Sequence, residues 1–327
     1  MSKRFLLGIA SAGAILLAAC SGPQADQPAE NTGAGTPAPA AQGQLSVAVV
    51  THGGPADDFW SVVKNGAEAA GRDLDVAVTY SSDSDPGAQA RLIDNAVAQK
   101  VGGIVVSMSN PDALQTAIQN AVRAGIPVIT INSGSAKSKQ FGALAHVGQE
   151  EGIAGEQAGI KLKEAGKTKL LCVIHEAANV GLNERCDGAR RGFGQVENLQ
   201  VDLNNPNDVE SRIRGALQAD ATVDAVLALN PQVGVLASNA AKATGGKATV
   251  ATFDLNGDVT EAIKSGAVLF AVDQQQYQQG YLPIVMLKLY VDNANTVGGG
   301  SPVLTGPGFV EKSNVDKVAE YARRGTR

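Results

Sequence analysis

The chain has 327 residues, of which 44% are apolar, 4% aromatic and 18% charged, a balance too apolar for a disordered chain and too poor in charge for a coiled coil. At roughly 100 to 200 residues per domain, this length predicts two domains, each able to bury a core. Twenty-seven Lys and Arg against 32 Asp and Glu give a formal charge of −5, which excludes the basic footprint that nucleic-acid phosphates need.

Lys3 and Arg4 precede an apolar run from Phe5 to Ala19, shorter than the roughly 20 residues of a spanning helix and read as a signal peptide over 1–19. The run ends in Leu17-Ala18-Ala19-Cys20, which resembles the bacterial lipobox, where the cysteine is lipidated and becomes the mature N-terminus. That resemblance implies an exported protein held to the membrane by acyl chains on Cys20. Cleavage would remove two basic residues and leave 25 against 32 acidic ones. Residues 20–43 are rich in Pro, Gly, Ala and Gln without large apolar side chains, so they read as a tether.

From Leu45 onward, strand-length apolar runs alternate with amphipathic stretches, the pattern of parallel sheets covered by helices. Strands are expected at 45–51, 76–80, 103–108 and 127–132, with helices at 58–72, 86–100 and 111–124 between them. The second half repeats the pattern: helix 149–165, strand 169–174, helix 181–195, strand 199–203, helix 207–219, strand 224–229, helix 231–244, strand 247–253, helix 256–264 and strand 268–272. A helix over 274–292, a strand-like 302–310 and a final helix close the chain. The fold class is therefore α/β, with two doubly wound parallel-sheet domains.

In such sheets, ligands bind beyond the carboxyl ends of the strands. The residues found there are His52, Asp57, Asp58, Phe59, Trp60, Ser107, Ser109, Asn132, Ser133, His175, Glu176, Asn179, Asn230, Asp254, Gln274 and Gln275. Amides, hydroxyls and carboxylates dominate, the donors and acceptors of a neutral polyhydroxyl ligand.

These residues resemble those of the sugar-binding proteins of ABC importers, the ribose-, galactose- and autoinducer-2-type group of periplasmic binding proteins (type I fold). The resemblance is carried by Phe59-Trp60-Ser61-Val62-Val63-Lys64-Asn65-Gly66-Ala67, Ala124-Gly125-Ile126-Pro127-Val128-Ile129, Glu184-Arg185-Cys186-Asp187-Gly188, Ala228-Leu229-Asn230, Thr252-Phe253-Asp254 and Asp273-Gln274-Gln275. It implies a hinge crossed three times, near 148, 274 and 303, with an N-terminal lobe of 45–148 plus 275–302 and a C-terminal lobe of 149–274 plus 303–327. It implies that Phe59 and Trp60 flank a sugar ring, that Arg185 offers a fork of donors to ring hydroxyls, and that Asn230, Asp254 and Gln274 line the same cleft with Asp57, Asp58, Ser107 and Asn132. Asn132-Ser133 stands where ribose-type members have Asp-Arg, and Ser107 where they often have Asn. The expected ligand is a small sugar, polyol or sugar-like molecule, and the departure argues against ribose while leaving other pentoses, hexoses, polyols or a furanosyl signal molecule open.

The implied function is capture of that ligand outside the cytoplasm and delivery to a membrane ABC permease; a sensory receptor acting through a signalling partner is the alternative. The resemblance implies a monomer. Cys172 and Cys186, the cysteines left after Cys20, form either a disulfide, the expected state for an exported protein, or two buried thiols. Histidines 52, 146 and 175 are too scattered to predict a metal site, and His175-Glu176 lacks the second histidine of a zinc-protease motif because position 179 is Asn. With no nucleophile elbow, P-loop or GxGxxG turn, neither enzyme activity nor a cofactor is expected.

Overall fold

Alternate residues of the first strand, β1 (Ser46–Thr51), enter two different cores: Val47 and Val49 on one face, Ala48 and Val50 on the other. A strand buried on both faces is what a parallel sheet sandwiched by helices requires. The computed structural model describes residues 43–54 and 57–327. The expectations for residues 1–19, Cys20 and most of the tether lie outside them.

The first sheet has the order β11-β5-β4-β3-β1-β2 and is parallel throughout, from β1, β2 (Ala77–Ser82), β3 (Gly103–Ser107), β4 (Val128–Ile131), β5 (Ala145–Gly148) and β11 (Val303–Leu304). Its helices are α1 (Asp58–Leu74), α2 (Pro86–Ala98), α3 (Pro111–Arg123), a one-turn α4 (Ser135–Ser138) and α10 (Gln276–Asn293). The second sheet repeats the arrangement as β12-β10-β9-β8-β6-β7. It comprises β6 (Leu170–Ile174), β7 (Val196–Gln200), β8 (Ala225–Ala228), β9 (Thr249–Phe253), β10 (Phe270–Asp273) and an antiparallel β12 (Gly308–Glu311). Around it lie α5 (Glu151–Glu164), α6 (Val180–Phe193), α7 (Pro206–Ala219), α8 (Pro231–Ala243), α9 (Gly257–Ser265) and α11 (Ala319–Arg323). Among the described residues no helix is long and apolar enough to cross a membrane.

Three short segments join the sheets: Gln149-Glu150 after β5, Gln274-Gln275 after β10, and Thr305–Pro307 between β11 and β12. Thr305 N donates to Gly148 O at 2.7 Å and Gln275 Nε2 to Thr305 O at 2.7 Å, so all three crossings are stitched side by side. Two expectations are corrected here. Val303 and Leu304 pair with Val147 and Gly148 in the first sheet, so the boundary expected at 303 falls after 304. The single strand expected over 302–310 is two, because the chain changes sheet at Gly306-Pro307.

Glycine sets the closest helix contacts. A Cβ on Gly66 of α1 would collide with the Tyr277 carbonyl of α10, and one on Gly280 with the Val63 carbonyl. In the second lobe, Gly155 and Gly188 bring α5 and α6 together in the same way. Cys172 of β6 and Cys186 of α6 form a disulfide with Cα atoms 5.9 Å apart, closing a short loop for which chain entropy gives about 3 kcal/mol.

Candidate functional site

Helix starts and strand ends meet at one cleft between the lobes. Asp57 caps α1 by accepting from Phe59 N, Asn179 caps α6 through Gly181 N, and Asn230 caps α8 through Gln232 N and Val233 N. Capping satisfies amides that the first helical turn leaves open, and it fixes these three side chains at the cleft. Asn132, immediately after β4, and Asp254, immediately after β9, both hold left-handed backbone at φ 62° and 67°. Asn and Asp tolerate this conformation better than other side-chain-bearing residues.

The innermost cavity is lined by His52, Asp57, Phe59, Trp60, Asn132, His175, Glu176, Asn179, Leu182, Arg185, Leu229, Asn230, Asp254 and Gln274. Its volume is about 30 Å³, room for a water and not for a sugar ring. Past His52, Asp57, His175, Glu176 and Asn179 it adjoins a crevice of about 230 Å³ between the lobes. The lobes touch along this seam: Val180 N donates to Ser109 O at 3.0 Å, Ser133 Oγ to Asn179 Oδ1 at 3.0 Å, and Asn230 Nδ2 to Asp57 Oδ1 at 3.1 Å.

At the floor, Asn132 Nδ2 donates to Gln274 Oε1 at 3.1 Å, and Gln274 Nε2 donates to Asp254 Oδ2 at 3.1 Å. Among the described residues Asp254 Oδ1 is buried without a hydrogen-bond partner. A buried polar atom without a partner is costly, so it marks a place for a polar group from outside the chain. Burial pushes the Asp254 carboxyl up to about 8, with Arg185 only partly opposing. Arg185 opposes weakly because its Nε and Nη2 fork onto Glu151 at 2.6 and 2.9 Å, while its Nη1 stays 4.0 Å from Asp254 Oδ2. The guanidinium also lies 4.4 Å from the Phe253 ring centroid.

On the opposite wall Phe59 and Trp60 meet edge to face at 4.9 Å, and Trp60 meets His52 at 4.6 Å. Ser107 orients His52 by accepting from His52 N at 3.0 Å and sitting 2.7 Å from its Nδ1. The Asn179 carbonyl is committed to Gly181 N, so its Nδ2 donates to His52 Nε2 at 3.3 Å. The ring proton therefore belongs on Nδ1. Burial pushes the Asp57 carboxyl up to about 7, reinforced by the nearby Glu176.

Eight of the ten expected ligand residues line this cavity. Two do not. Asp58 is exposed on the first turn of α1, and Ser107 is fully buried behind His52. The expected two-point grip of Arg185 on a ligand is also revised, since Glu151 already occupies that fork. His52, His175, Glu176 and Asn179 line the cavity although the sequence placed them only at strand ends; no motif links them, and only the strand order brings them together.

Residues 47–295 match the periplasmic binding protein domain, and the chain belongs to that family. It is similar to the ribose import binding protein RbsB of Haemophilus influenzae, with 26% identity over 75% of this chain and 84% of the relative. A carbohydrate transporter from Acidothermus cellulolyticus 11B, solved in complex with myo-inositol, is 42% identical with a TM-score of 0.85, covering 87% of this chain and all of that one. A solute-binding protein from Burkholderia graminis, solved with D-arabinose, shares the fold at 21% identity and a TM-score of 0.74, over 83% and 96% of the two chains.

Proposed function

We propose that this protein is an exported solute-binding lipoprotein that captures a small cyclic polyol, myo-inositol or a close relative, and presents it to an ABC permease. The observation that carries the reading is the Asn132–Gln274–Asp254 row lining one cavity with Phe59 and Trp60, with one buried Asp254 oxygen left without a partner among the described residues. Aromatic walls suit C–H faces of a ring, and a row of amides and carboxylates suits its hydroxyl rim. The likeness to a myo-inositol complex at 42% identity and the neutral Asn132-Ser133 in place of an Asp-Arg pair favour a cyclitol over ribose.

The cavity is smaller than such a ring and its mouth is bridged by hydrogen bonds between lobes. Entry therefore requires the lobes to part about the three crossings and to close again on the ligand. Export and anchoring through Cys20 rest on the lipobox alone. Isothermal titration of the purified protein with myo-inositol, ribose, arabinose, xylose and galactose tests the reading. Saturable binding of myo-inositol with Kd near or below about 1 μM, and at least tenfold weaker binding of ribose, is expected; no saturable binding across the panel overturns it.

A further inference from the structure

Where the lobes meet, Asp57 from the first and His175 and Glu176 from the second each offer one donor atom within 4.8 Å of the other two. We propose that these three residues hold a divalent transition-metal ion across the lobe seam.

Several observations support this. Tetrahedral bonds of about 2.1 Å place ligand atoms about 3.4 Å from one another, so the cluster would contract by up to about 1.4 Å on taking an ion. The donor set is one imidazole and two carboxylates, which suits Zn²⁺, Co²⁺, Ni²⁺ or Cu²⁺ better than Mg²⁺ or Ca²⁺. His175 Nδ1 is shielded from solvent and has no hydrogen-bond partner among the described residues. Among the described residues no lysine or arginine is ion-paired to these three: Arg185 is forked onto Glu151. Glu176 Oε2 is met by Asn179 Nδ2 at 2.7 Å and by His52 Nε2 at 3.7 Å.

His52 lies beside the cluster rather than in it, its Nε2 already accepting from Asn179 Nδ2 at 3.3 Å. Its Nδ1 contacts Ser107 Oγ at 2.7 Å, and its Nε2 lies 3.7 Å from Glu176 Oε2. Because Asp57 and the His175-Glu176 pair belong to different lobes, one ion would join the lobes independently of any sugar.

The test uses sugar-free, disulfide-intact protein. Zn²⁺ binding is followed by calorimetry and Cu²⁺ binding by the fluorescence of Trp60, the sole tryptophan, whose ring lies 4.6 Å from that of His52. One saturable site per chain is expected, with strong Trp60 quenching by Cu²⁺ and binding at least tenfold weaker in His175→Ala and in Asp57→Asn. Far-UV circular dichroism confirms that each variant is folded, and Glu176→Gln, which keeps the side-chain volume, provides a second second-lobe variant. Absence of a saturable site in the wild type overturns the proposal, as does undiminished affinity in folded Asp57→Asn or in both folded second-lobe variants. Because no sugar is added, either result leaves the polyol reading to its own titration.

Discussion

Asn132 and Asp254 are counterparts: each follows the third strand from the same edge of its sheet, β4 in one lobe and β9 in the other, and each takes left-handed backbone there. Gln274, on the second crossing, hydrogen-bonds both. One amide on the hinge thus reads the two lobes at once.

Replacing Gln274 with Ala leaves Asn132 Nδ2 and Asp254 Oδ2 without this partner. A buried polar group left unsatisfied costs about 1–3 kcal/mol, so polyol affinity is expected to fall by roughly one to two orders of magnitude. Calorimetric titration of Gln274→Ala against wild type measures it, and unchanged affinity would show that the row does not contact ligand.

The Arg185–Glu151 pair is buried, with side chains 3% and 2% exposed. Glu151→Ala strands the guanidinium and is expected to destabilise the protein by about 3–5 kcal/mol. The combined Glu151→Leu, Arg185→Met variant is expected to recover most of that loss in urea unfolding while still losing ligand affinity.

Gly280→Ala forces α1 and α10 apart and is expected to cost about 1–3 kcal/mol by overpacking. Gly215→Ala on α7 meets nothing within 4 Å and is expected to stabilise by about 0.5–1 kcal/mol through helix propensity. Thermal unfolding of the two variants should move in opposite directions.

Two buried groups set opposing pH trends. Asp254 titrates near 8 in the folded chain against an ordinary 3.8, so its contribution is complete below 3.8 and is lost as pH rises towards 8. His146 is held at about 4 by burial against an ordinary 6.5, so stability is lost as pH falls from 6.5 towards 4. Between about 4 and 6.5 the Asp254 and His146 slopes cancel; above 6.5 the Asp254 loss continues towards 8, accompanied up to about 7 by that of Asp57. Urea unfolding of wild type minus Asp254→Asn should therefore show a difference that changes between pH 6.5 and 8; a flat difference there contradicts the assignment.

The alternation of β1, β3, β6 and β8 was plain in their apolar runs, and so were helices opened by Asp85-Pro86, Asn110-Pro111 and Asn230-Pro231. The strand β5 was not legible, because Ala-His-Val-Gly has no apolar run and becomes a strand through pairing with β4 and β11. Nor was the register of β7, expected at 199–203 and found at 196–200, because its alternation is weak and its residues are mostly exposed or half-buried. Asn132, Asn230, Asp254 and Gln274, just beyond buried strands, line the cavity, whereas Ser107 at the end of β3 is buried behind His52. His175, Glu176 and Asn179 were found only as polar residues at a strand end, because what unites them with Asp57 is proximity across the lobes, which no spacing in the chain encodes. Arg185 was found but its partner was missed, since Glu151 reaches it from a different helix.

The capped helix starts carry an evolutionary consequence. At Asp57, Asn179 and Asn230 the oxygen that caps a helix belongs to the same side chain that lines the cavity, so a substitution that reshapes the cavity at these positions also loosens the scaffold. Lineages shifting from one polyol to another should therefore vary first at Trp60, Asn132 and Gln274, whose side chains hold no helix end, and only later at the caps.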